Sequence, residues 1–259
     1  ITPGMDKEIS NEFQKILKKQ GINFNLNTKV ESILKNKSGI IVNTSDNKGN
    51  NKKFECDVVL VSVGRKPNTS NLNLDKIGVE TDKKGRIKIN KNFQTNIKDI
   101  YAIGDVIQGP MLAHKAEEEG IAVAEIIAGQ SGHVNYDIIP GVIYTSPRSL
   151  LQIGKTEEQL KEAKIDYKVG KFPFMANSRA KAIDEPEGFV KFLADTNSDS
   201  VLGVHIIGPH AGELIAEIAI AMEFGASSED IARTCHAHPT FSEAVKEAAL
   251  SIEKRQIHS

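Results

Sequence analysis

The chain has 259 residues, 39% of them hydrophobic, which suffices for one large globular domain or two ordinary ones. Its formal net charge of −1 argues against binding to nucleic acid or to a membrane surface, because such binding usually needs a clear basic excess. No apolar run is long enough to span a bilayer. Cys56 and Cys235 stand far apart without zinc-ligand companions, so we expect reduced thiols.

The first segment covers residues 1–68. It opens on ITPG, with neither an initiator methionine nor a leader pattern, so we expect a fragment that starts inside a fold. Apolar residues recur at helical spacing through residues 5–20, and Gly21 follows where a helix usually stops. Short alternating stretches and a polar turn come next, around Phe24, Val30, residues 40–42 and residues 47–51.

The run VVLVSV at residues 58–63 ends this segment and predicts a strand buried on both faces of a layered α/β domain.

The second segment covers residues 69–136. Its landmark is DIYAIGD at residues 99–105, which predicts a short strand closed by Gly-Asp. A helical pattern over residues 112–128 follows, and the order strand, loop, helix suits a phosphate or cofactor contact.

The third segment covers residues 137–259 and has a different pattern. Turn signals at residues 185–188 and 197–199 separate apolar runs and indicate antiparallel hairpins. The predicted strands are residues 142–145, 167–174, 180–183, 189–194 and 201–207. Helices then follow, and one of them carries an apolar face suited to core or subunit packing, formed by Leu214, Ile215, Ile218 and Met222.

The stretch CHAHPTFSEAVKEAAL at residues 235–250 has two readings. Thr240 and Glu243 have the T-x-x-E spacing of a capping box, in which both side chains satisfy backbone donors at a helix start. Alternatively, Glu243 accepts a hydrogen bond from one ring nitrogen of His238 and leaves the other free to take a proton. Histidine suits a thiol substrate, because its pKa of about 6.5 lies within reach of a thiol pKa near 8.5. His236 is a weaker candidate.

Four separated motifs carry a family resemblance: VSVGRKPNT at residues 61–69, YAIGDVIQGPMLAHKAEEEG at residues 101–120, VGKFPFMANSRAKA at residues 169–182 and the stretch that contains His238. They resemble the dihydrolipoamide dehydrogenase family of flavin-dependent disulfide oxidoreductases. Together they cover nearly the whole chain in the family's order. The resemblance implies that His238 is the acid/base for the dihydrolipoyl thiols and that Glu243 orients it.

The resemblance also implies cofactor contacts. Asp105 matches the aspartate that hydrogen-bonds the ribityl hydroxyls of FAD, although an ordinary Asx turn is the structural alternative. The backbone of Met111, Leu112, Ala113 and His114 matches the stretch that approaches the isoalloxazine ring, where the positive end of a helix favours the reduced flavin anion.

Gly64 matches the position where the family brings NAD close to the backbone, and a glycine permits that approach. Arg65 and Lys66 could meet a phosphate or lie on an exposed connection. For the side chains of His114 and Lys115 we expect solvated or packing roles.

Two departures from the family are visible. The Gly-x-Gly-x-x-Gly motifs and the Cys-x-x-x-x-Cys redox disulfide have no counterpart in this sequence. After Pro147, residues 148–151 (RSLL) replace the family's Glu-Val-Ala and add one residue before Gly154. An added strand residue reverses which side chains face inward, so we expect either a bulge or altered packing there.

The resemblance implies a fold of mixed α/β and α+β class: part of a nucleotide-binding α/β domain (1–68), a central FAD-contacting segment (69–136) and an antiparallel-sheet-plus-helices dimerisation domain (137–259). It implies a homodimeric dihydrolipoyl dehydrogenase that uses FAD and NAD, serves lipoyl domains of 2-oxo acid dehydrogenase or glycine cleavage complexes, and is cytoplasmic in bacteria or lies in the mitochondrial matrix in eukaryotes. A glutathione-type disulfide reductase and a non-catalytic dimerisation fragment are alternatives. His236 and the KEAAL continuation favour the dihydrolipoyl enzyme.

Overall fold

A computed structural model of the chain describes residues 1–37, 39–146 and 148–258. The helices, in chain order, are α1 (Lys7–Lys19), α2 (Ala113–Ile127), α3 (Glu157–Ala163), α4 (Ser178–Ala182), α5 (Ala211–Glu223), α6 (Ser228–Arg233) and α7 (Glu243–Ser251). The strands are β1 (Thr28–Asn36), β2 (Gly39–Asp46), β3 (Asn51–Cys56), β4 (Gly141–Ile143), β5 (Ser149–Gly154), β6 (Tyr167–Pro173), β7 (Phe189–Asp195) and β8 (Val201–Gly208).

These elements form two compact units. Ile1–Ile22 joins Asn135–Ser259 in the first, and Asn23–Val134 forms the second. The first unit is built on an antiparallel sheet with strand order β4-β5-β8-β7-β6. Helices cover both faces of this sheet, because α5, α6 and α7 share one apolar core with it and α1 packs on the other face. The antiparallel sheet with helices expected for residues 137–259 is therefore present.

A polar row crosses the face of the sheet that α1 covers. Gln152, His205 and Lys191 are direct partners on β5, β8 and β7. Asp6 caps the start of α1 by accepting from the backbone N–H of Glu8, at 3.0 Å. The same carboxylate receives the ammonium of Lys191 at 3.2 Å, while Gln152 accepts from the Asp6 backbone N–H at 3.2 Å. This row anchors the N-terminus of α1 on the sheet.

The second unit contains the antiparallel meander β1-β2-β3 and helix α2. Between β3 and α2 the chain is mostly irregular, with isolated bridges at Thr81 to Ile87 and at Gln94 to Tyr101. A small apolar core holds this irregular segment against α2, formed by Val79, Ile87, Phe93, Ala102, Ile107 and Ala122.

Three sequence-based expectations are wrong in detail. Residues 58–63 form no strand and are largely exposed, Val63 to 92%, because no described strand pairs with them and no layer covers them. Residues 99–103 contain only the bridge at Tyr101, followed by a 3-10 turn at Gly104–Val106. Residues 180–183 do not form a strand, because Asn177 caps α4 by accepting from the Ala180 N–H.

The helix expected over residues 5–20 is confirmed as α1, and the one expected over residues 112–128 is confirmed as α2. Strands β4, β6, β7 and β8 confirm the other expectations in the third segment. Among the described residues, none of the helices has the length and apolar character needed to cross a membrane.

The extra residue near residues 148–151 is absorbed without a bulge in the pairing of β5 with β8, whose register is regular from Ser149 to Gly154. Leu150 packs on the α1 side and Leu151 on the α5 side, and both are fully buried. Because both faces of β5 are covered, either inward orientation finds an apolar environment. Pro147, where the irregularity begins, lies outside the described residues.

Candidate functional site

The His238 and Glu243 side chains meet as the dyad reading expects. His238 lies in the loop between α6 and α7, and Glu243 is the first residue of α7. The ring Nδ1 and the carboxylate Oε1 are 2.8 Å apart. The His238 side chain is 61% exposed, and its Nε2 has no hydrogen-bond partner among the residues described. The pair therefore presents one free ring nitrogen to a ligand from outside.

Glu243 serves the helix start at the same time. Its second oxygen, Oε2, accepts from the backbone N–H of Thr240 at 2.9 Å. The Thr240 hydroxyl donates to the Ala237 carbonyl at 2.7 Å, so the reciprocal half of a capping box is absent at this threonine. Both readings of Glu243 thus hold in part, because each carboxylate oxygen takes one of the two donors.

The charge on Glu243 is stabilised by its surroundings. Partial burial raises the pKa of this carboxyl group. The Thr240 N–H, the hydrogen bond and charge of His238, and the charge of His258 outweigh that effect and hold the pKa below its ordinary value. Glu243 is therefore ionised near neutral pH and offers His238 an anionic partner.

A second histidine–carboxylate pair lies one helical turn along α7. Glu247 accepts from the ring Nδ1 of His258 and from the Ile257 backbone N–H, both at 2.7 Å. Glu243, Glu247 and His258 line one small cavity together with Asn177. Sequence reasoning missed this pair, although the four-residue spacing of the two glutamates places them on one helix face.

His236 is separate from the dyad. Its Nδ1 is 2.9 Å from the Thr234 carbonyl oxygen, and its Nε2 is 3.8 Å from Glu217 Oε1. The interaction with Glu217 raises the pKa of His236, and partial burial only reduces that effect. The structure thus gives this histidine a structural partner of its own and does not bring it to Glu243.

The residues expected to contact flavin lie in the second unit, around the start of α2. Asp105 sits in the 3-10 turn at Gly104–Val106, and its carboxylate is 3.3 Å from the guanidinium of Arg65. Leu112 is the N-cap residue of this 15-residue helix, and its side chain makes no capping hydrogen bond. Met111 precedes the N-cap, and Ala113 and His114 form the first turn.

Gly64 follows the exposed residues 58–63 and has a φ of +109°, a conformation that favours glycine. Apart from its two chain neighbours, no described residue comes within 4 Å of a Cβ built there, so the backbone is open to a ligand. Arg65 is exposed and paired with Asp105, which matches an exposed connection better than a preformed phosphate site.

The described residues contain no cluster of three or more His, Cys, Asp or Glu side chains that could hold a metal ion. Cys56 is half-buried, Cys235 is exposed, and both are free thiols.

Comparison with known proteins defines the class. Residues 1–120 match the pyridine nucleotide-disulphide oxidoreductase family, and residues 139–249 match the dimerisation domain of that family. The chain belongs to the pyridine nucleotide-disulphide oxidoreductase family.

Its relatives carry more specific names. The mitochondrial dihydrolipoyl dehydrogenase of Pisum sativum is 59% identical over 259 residues, which cover 100% of this chain and 52% of the relative. The mitochondrial dihydrolipoyl dehydrogenase of Dictyostelium discoideum is 55% identical over 261 residues, with 100% and 53% covered. The leghemoglobin reductase of Glycine max is 59% identical over 252 residues, with 97% and 48% covered. The chain thus spans about half the length of these relatives.

Solved structures share the fold. The HOCl-induced flavoprotein disulfide reductase RclA of Escherichia coli superposes with a TM-score of 0.87 at 24% identity, covering 96% of this chain and 56% of that one. LpdA of Mycobacterium tuberculosis gives a TM-score of 0.85 at 23% identity, with 95% and 53% covered. At this level of identity the likeness concerns the fold alone.

Proposed function

We propose that the chain is the C-terminal portion of a dihydrolipoyl dehydrogenase, which oxidises dihydrolipoyl groups with FAD and NAD. The observation that carries this proposal is the 2.8 Å contact between His238 and Glu243, with the second ring nitrogen left free. Relatives named dihydrolipoyl dehydrogenase at 55–59% identity support the same substrate. The proposal concerns the full-length protein, since the chain spans about half of its relatives.

In this proposal His238 is the acid/base residue. Its free Nε2 accepts a proton from a dihydrolipoyl thiol, and the resulting thiolate can attack a disulfide. Glu243 holds the other nitrogen, fixes the ring orientation and stabilises the positive charge that the ring gains. A base of this kind contributes about 100- to 10,000-fold in rate.

The residues around α2 fit a flavin in chemical terms. Asp105 supplies a half-exposed carboxylate acceptor for ribityl hydroxyls, and the start of α2 supplies N–H donors for an anionic ring edge. The backbone from Met111 to His114 would lie along the ring. When bound, FAD supplies the two-electron chemistry between thiol and nicotinamide. At Gly64 the open backbone suits the approach of NAD.

We further propose the division into residues 1–68, 69–136 and 137–259 as the end of an NAD-binding domain, an FAD-contacting domain and a dimerisation domain. The family match over residues 139–249 supports a homodimer. Lipoyl domains of 2-oxo acid dehydrogenase or glycine cleavage complexes are the proposed partners. The mitochondrial names of the relatives support the mitochondrial matrix, and they give no support to a cytoplasmic location.

The two alternatives receive less support. A glutathione-type reductase would share the His–Glu dyad, but the relatives at 59% identity are named dihydrolipoyl dehydrogenase and leghemoglobin reductase. A non-catalytic dimerisation fragment would not need a solvent-facing imidazole that is held by a carboxylate.

The test uses a full-length protein that carries this chain. Purified protein should show flavin absorbance and form NADH from dihydrolipoamide and NAD. His238→Gln should reduce this turnover by about 100- to 10,000-fold with flavin content unchanged, because Gln cannot take the thiol proton. His133→Gln, the same change at an exposed histidine, is the matched control. Unchanged turnover in His238→Gln would falsify the assignment of the base.

A further inference from the structure

Helix α2 contains a fully buried ion pair. The ammonium of Lys115 lies 2.8 Å from the carboxylate of Glu119, and both side chains have 0% exposure. Lysine and glutamate are almost never fully buried unless they are paired. Of the solvated and packing roles expected for Lys115, its burial leaves the packing role, and the question is what the pair holds in place.

Both members of the pair bind the same residue, Gly104. Glu119 accepts from the Gly104 backbone N–H at 2.7 Å, and Lys115 approaches the Gly104 carbonyl oxygen at 3.4 Å. The two charged groups thus satisfy the donor and the acceptor of one glycine. Gly104 is the residue directly before Asp105, and it opens the 3-10 turn that carries the Asp105 carboxylate.

Glycine is required on this turn for two reasons. Gly104 has a φ of +72°, and a Cβ added there would lie 3.1 Å from the Cβ of Ala116 on α2. A Cβ added at Gly109 would lie only 2.8 Å from Cε of Lys115. The turn and the loop after it therefore pack directly against the helix face that carries the buried pair.

The energetics favour a positioning role over a simple stabilising one. Removing two charges from water costs several kcal/mol for each ion, and their attraction and hydrogen bonds only offset that cost when the geometry is good. An apolar pair of similar size would give similar or better stability. What an apolar pair cannot do is hold the Gly104 peptide groups through directed hydrogen bonds.

We propose that Glu119 is a positioning residue for flavin binding and that Lys115 compensates its buried charge: through the Gly104 N–H, Glu119 fixes the Gly104 turn so that Asp105 meets the ribityl hydroxyls while the start of α2 faces the ring. This inference rests on the proposed function. It goes beyond that function by assigning flavin affinity to a side chain that is itself sealed from the ligand.

Two double variants of the full-length protein test the assignment. Lys115→Met with Glu119→Leu removes both charges and every acceptor for the Gly104 N–H. Lys115→Met with Glu119→Gln removes both charges but keeps a side-chain oxygen that can accept from Gly104. We measure the dissociation constant of FAD by titrating apoprotein, hydrogen exchange at the Gly104 amide, and thermal stability. Glu80→Gln, which breaks the exposed pair with Lys88 in the same unit, is the control.

The Leu variant should keep its thermal stability, exchange the Gly104 amide faster and bind FAD about 10- to 100-fold more weakly, as expected for a charged hydrogen bond. The Gln variant and the control should bind FAD within about threefold of the unsubstituted protein. Equal FAD affinity in the Leu variant and the unsubstituted protein overturns the proposal, and so does an equal loss in both double variants. If the unsubstituted protein binds no flavin, the proposed function fails, and the exchange of the Gly104 amide still decides whether the pair holds the turn.

Discussion

At the scale of single residues, Glu243 makes two hydrogen bonds, one with each oxygen of its carboxylate. Oε1 holds His238 and Oε2 holds the Thr240 amide. A neutral glutamine can keep one of these roles, because its single carbonyl oxygen can still accept from the Thr240 N–H. It cannot supply the negative charge that stabilises a protonated ring at His238. The two roles of this carboxylate can therefore be separated by one substitution.

We expect Glu243→Gln in the full-length protein to lower turnover of dihydrolipoamide by about 10- to 100-fold, the worth of a charged hydrogen bond. The Thr240 N–H can still donate to the amide oxygen, so the loss of turnover reports the contact with His238. Steady-state turnover and thermal melting separate the two roles. A lower melting temperature with unchanged turnover would show that helix capping is the only role of Glu243.

Spacing alone left the dyad and the capping box open, because a short turn and five positions suit both, and the family resemblance favoured the dyad. The pairs Glu247 with His258 and Lys115 with Glu119 were missed. For the first, the C-terminal tail must fold back along α7, which local sequence does not specify. For the second, i,i+4 spacing is equally typical of exposed pairs, and only the packing of the Gly104 turn against α2 buries it.

At the scale of elements, α1 depends on the polar row beneath its N-terminus. Lys191 is fully buried and lies within 3.2 Å of three carboxylates, those of Asp6, Glu8 and Glu157. These contacts raise the pKa of Lys191 despite its burial. For Glu157, partial burial raises the carboxyl pKa, but hydrogen bonds from Lys161, Lys191 and Tyr167 outweigh it and lower the value to about 2. The Lys191 ammonium group therefore compensates the negative charge of the carboxylates that lie where α1 packs on the sheet.

Lys191→Met should destabilise the first unit by about 3–5 kcal/mol, because it leaves the buried carboxylate of Asp6 without its cation. Lys15→Met, which removes an exposed partner of Glu12 on the same helix, should cost less than about 1 kcal/mol. Urea denaturation followed by circular dichroism measures both. A cost below 1 kcal/mol for Lys191→Met would mean that the polar row does not anchor α1.

Strands and helices could be predicted where the apolar pattern of a segment and the segment it packs or pairs with lie close together in the chain. Strands β6, β7 and β8 are consecutive hairpin neighbours, and no β6–β7 or β7–β8 partners lie further apart than Tyr167 and Asp195, so alternation and turn signals suffice. Residues 58–63 have an equally strong apolar pattern but no described strand to pair with, and propensity alone does not form a buried strand. At residues 180–183 the chain is not a strand, because Asn177 caps the start of helix α4.

At the scale of the whole molecule, the buried histidine of the polar row links folding to pH. His205 is fully buried on β8, its Nε2 donates to the Lys155 carbonyl oxygen at 3.2 Å, and its Nδ1 has no hydrogen-bond partner among the described residues. Burial lowers the pKa of His205 from 6.5 to about 4, and the nearby Asp6 carboxylate reverses only part of that effect. The folded chain therefore keeps this ring neutral at pH values where the unfolded chain protonates it.

The sign of the effect follows from proton binding. Between pH 6.5 and 4 the unfolded chain binds a proton at His205 that the folded chain does not, so stability falls as the pH falls through this window. From pH 7 to 4.5 the first unit should lose about 2 kcal/mol, at 1.36 kcal/mol for each pH unit. The carboxylates of Asp6 and Glu157 have lowered pKa values, so the stability they contribute is lost mainly below that window.

Hydrogen exchange of amides in β7 and β8 at pH 7, 5.5 and 4.5, corrected for intrinsic exchange rates, reports this loss where His205 lies. His205→Gln has no titrating ring at this position and should lose clearly less protection over the same range than the unsubstituted chain, whatever its absolute stability. His133→Gln removes an exposed histidine and should retain the loss of the unsubstituted chain. If the His205→Gln variant loses protection as steeply as the unsubstituted chain, the pH sensitivity of the fold originates in another group, and burial of the imidazole in the polar row has no energetic consequence for folding.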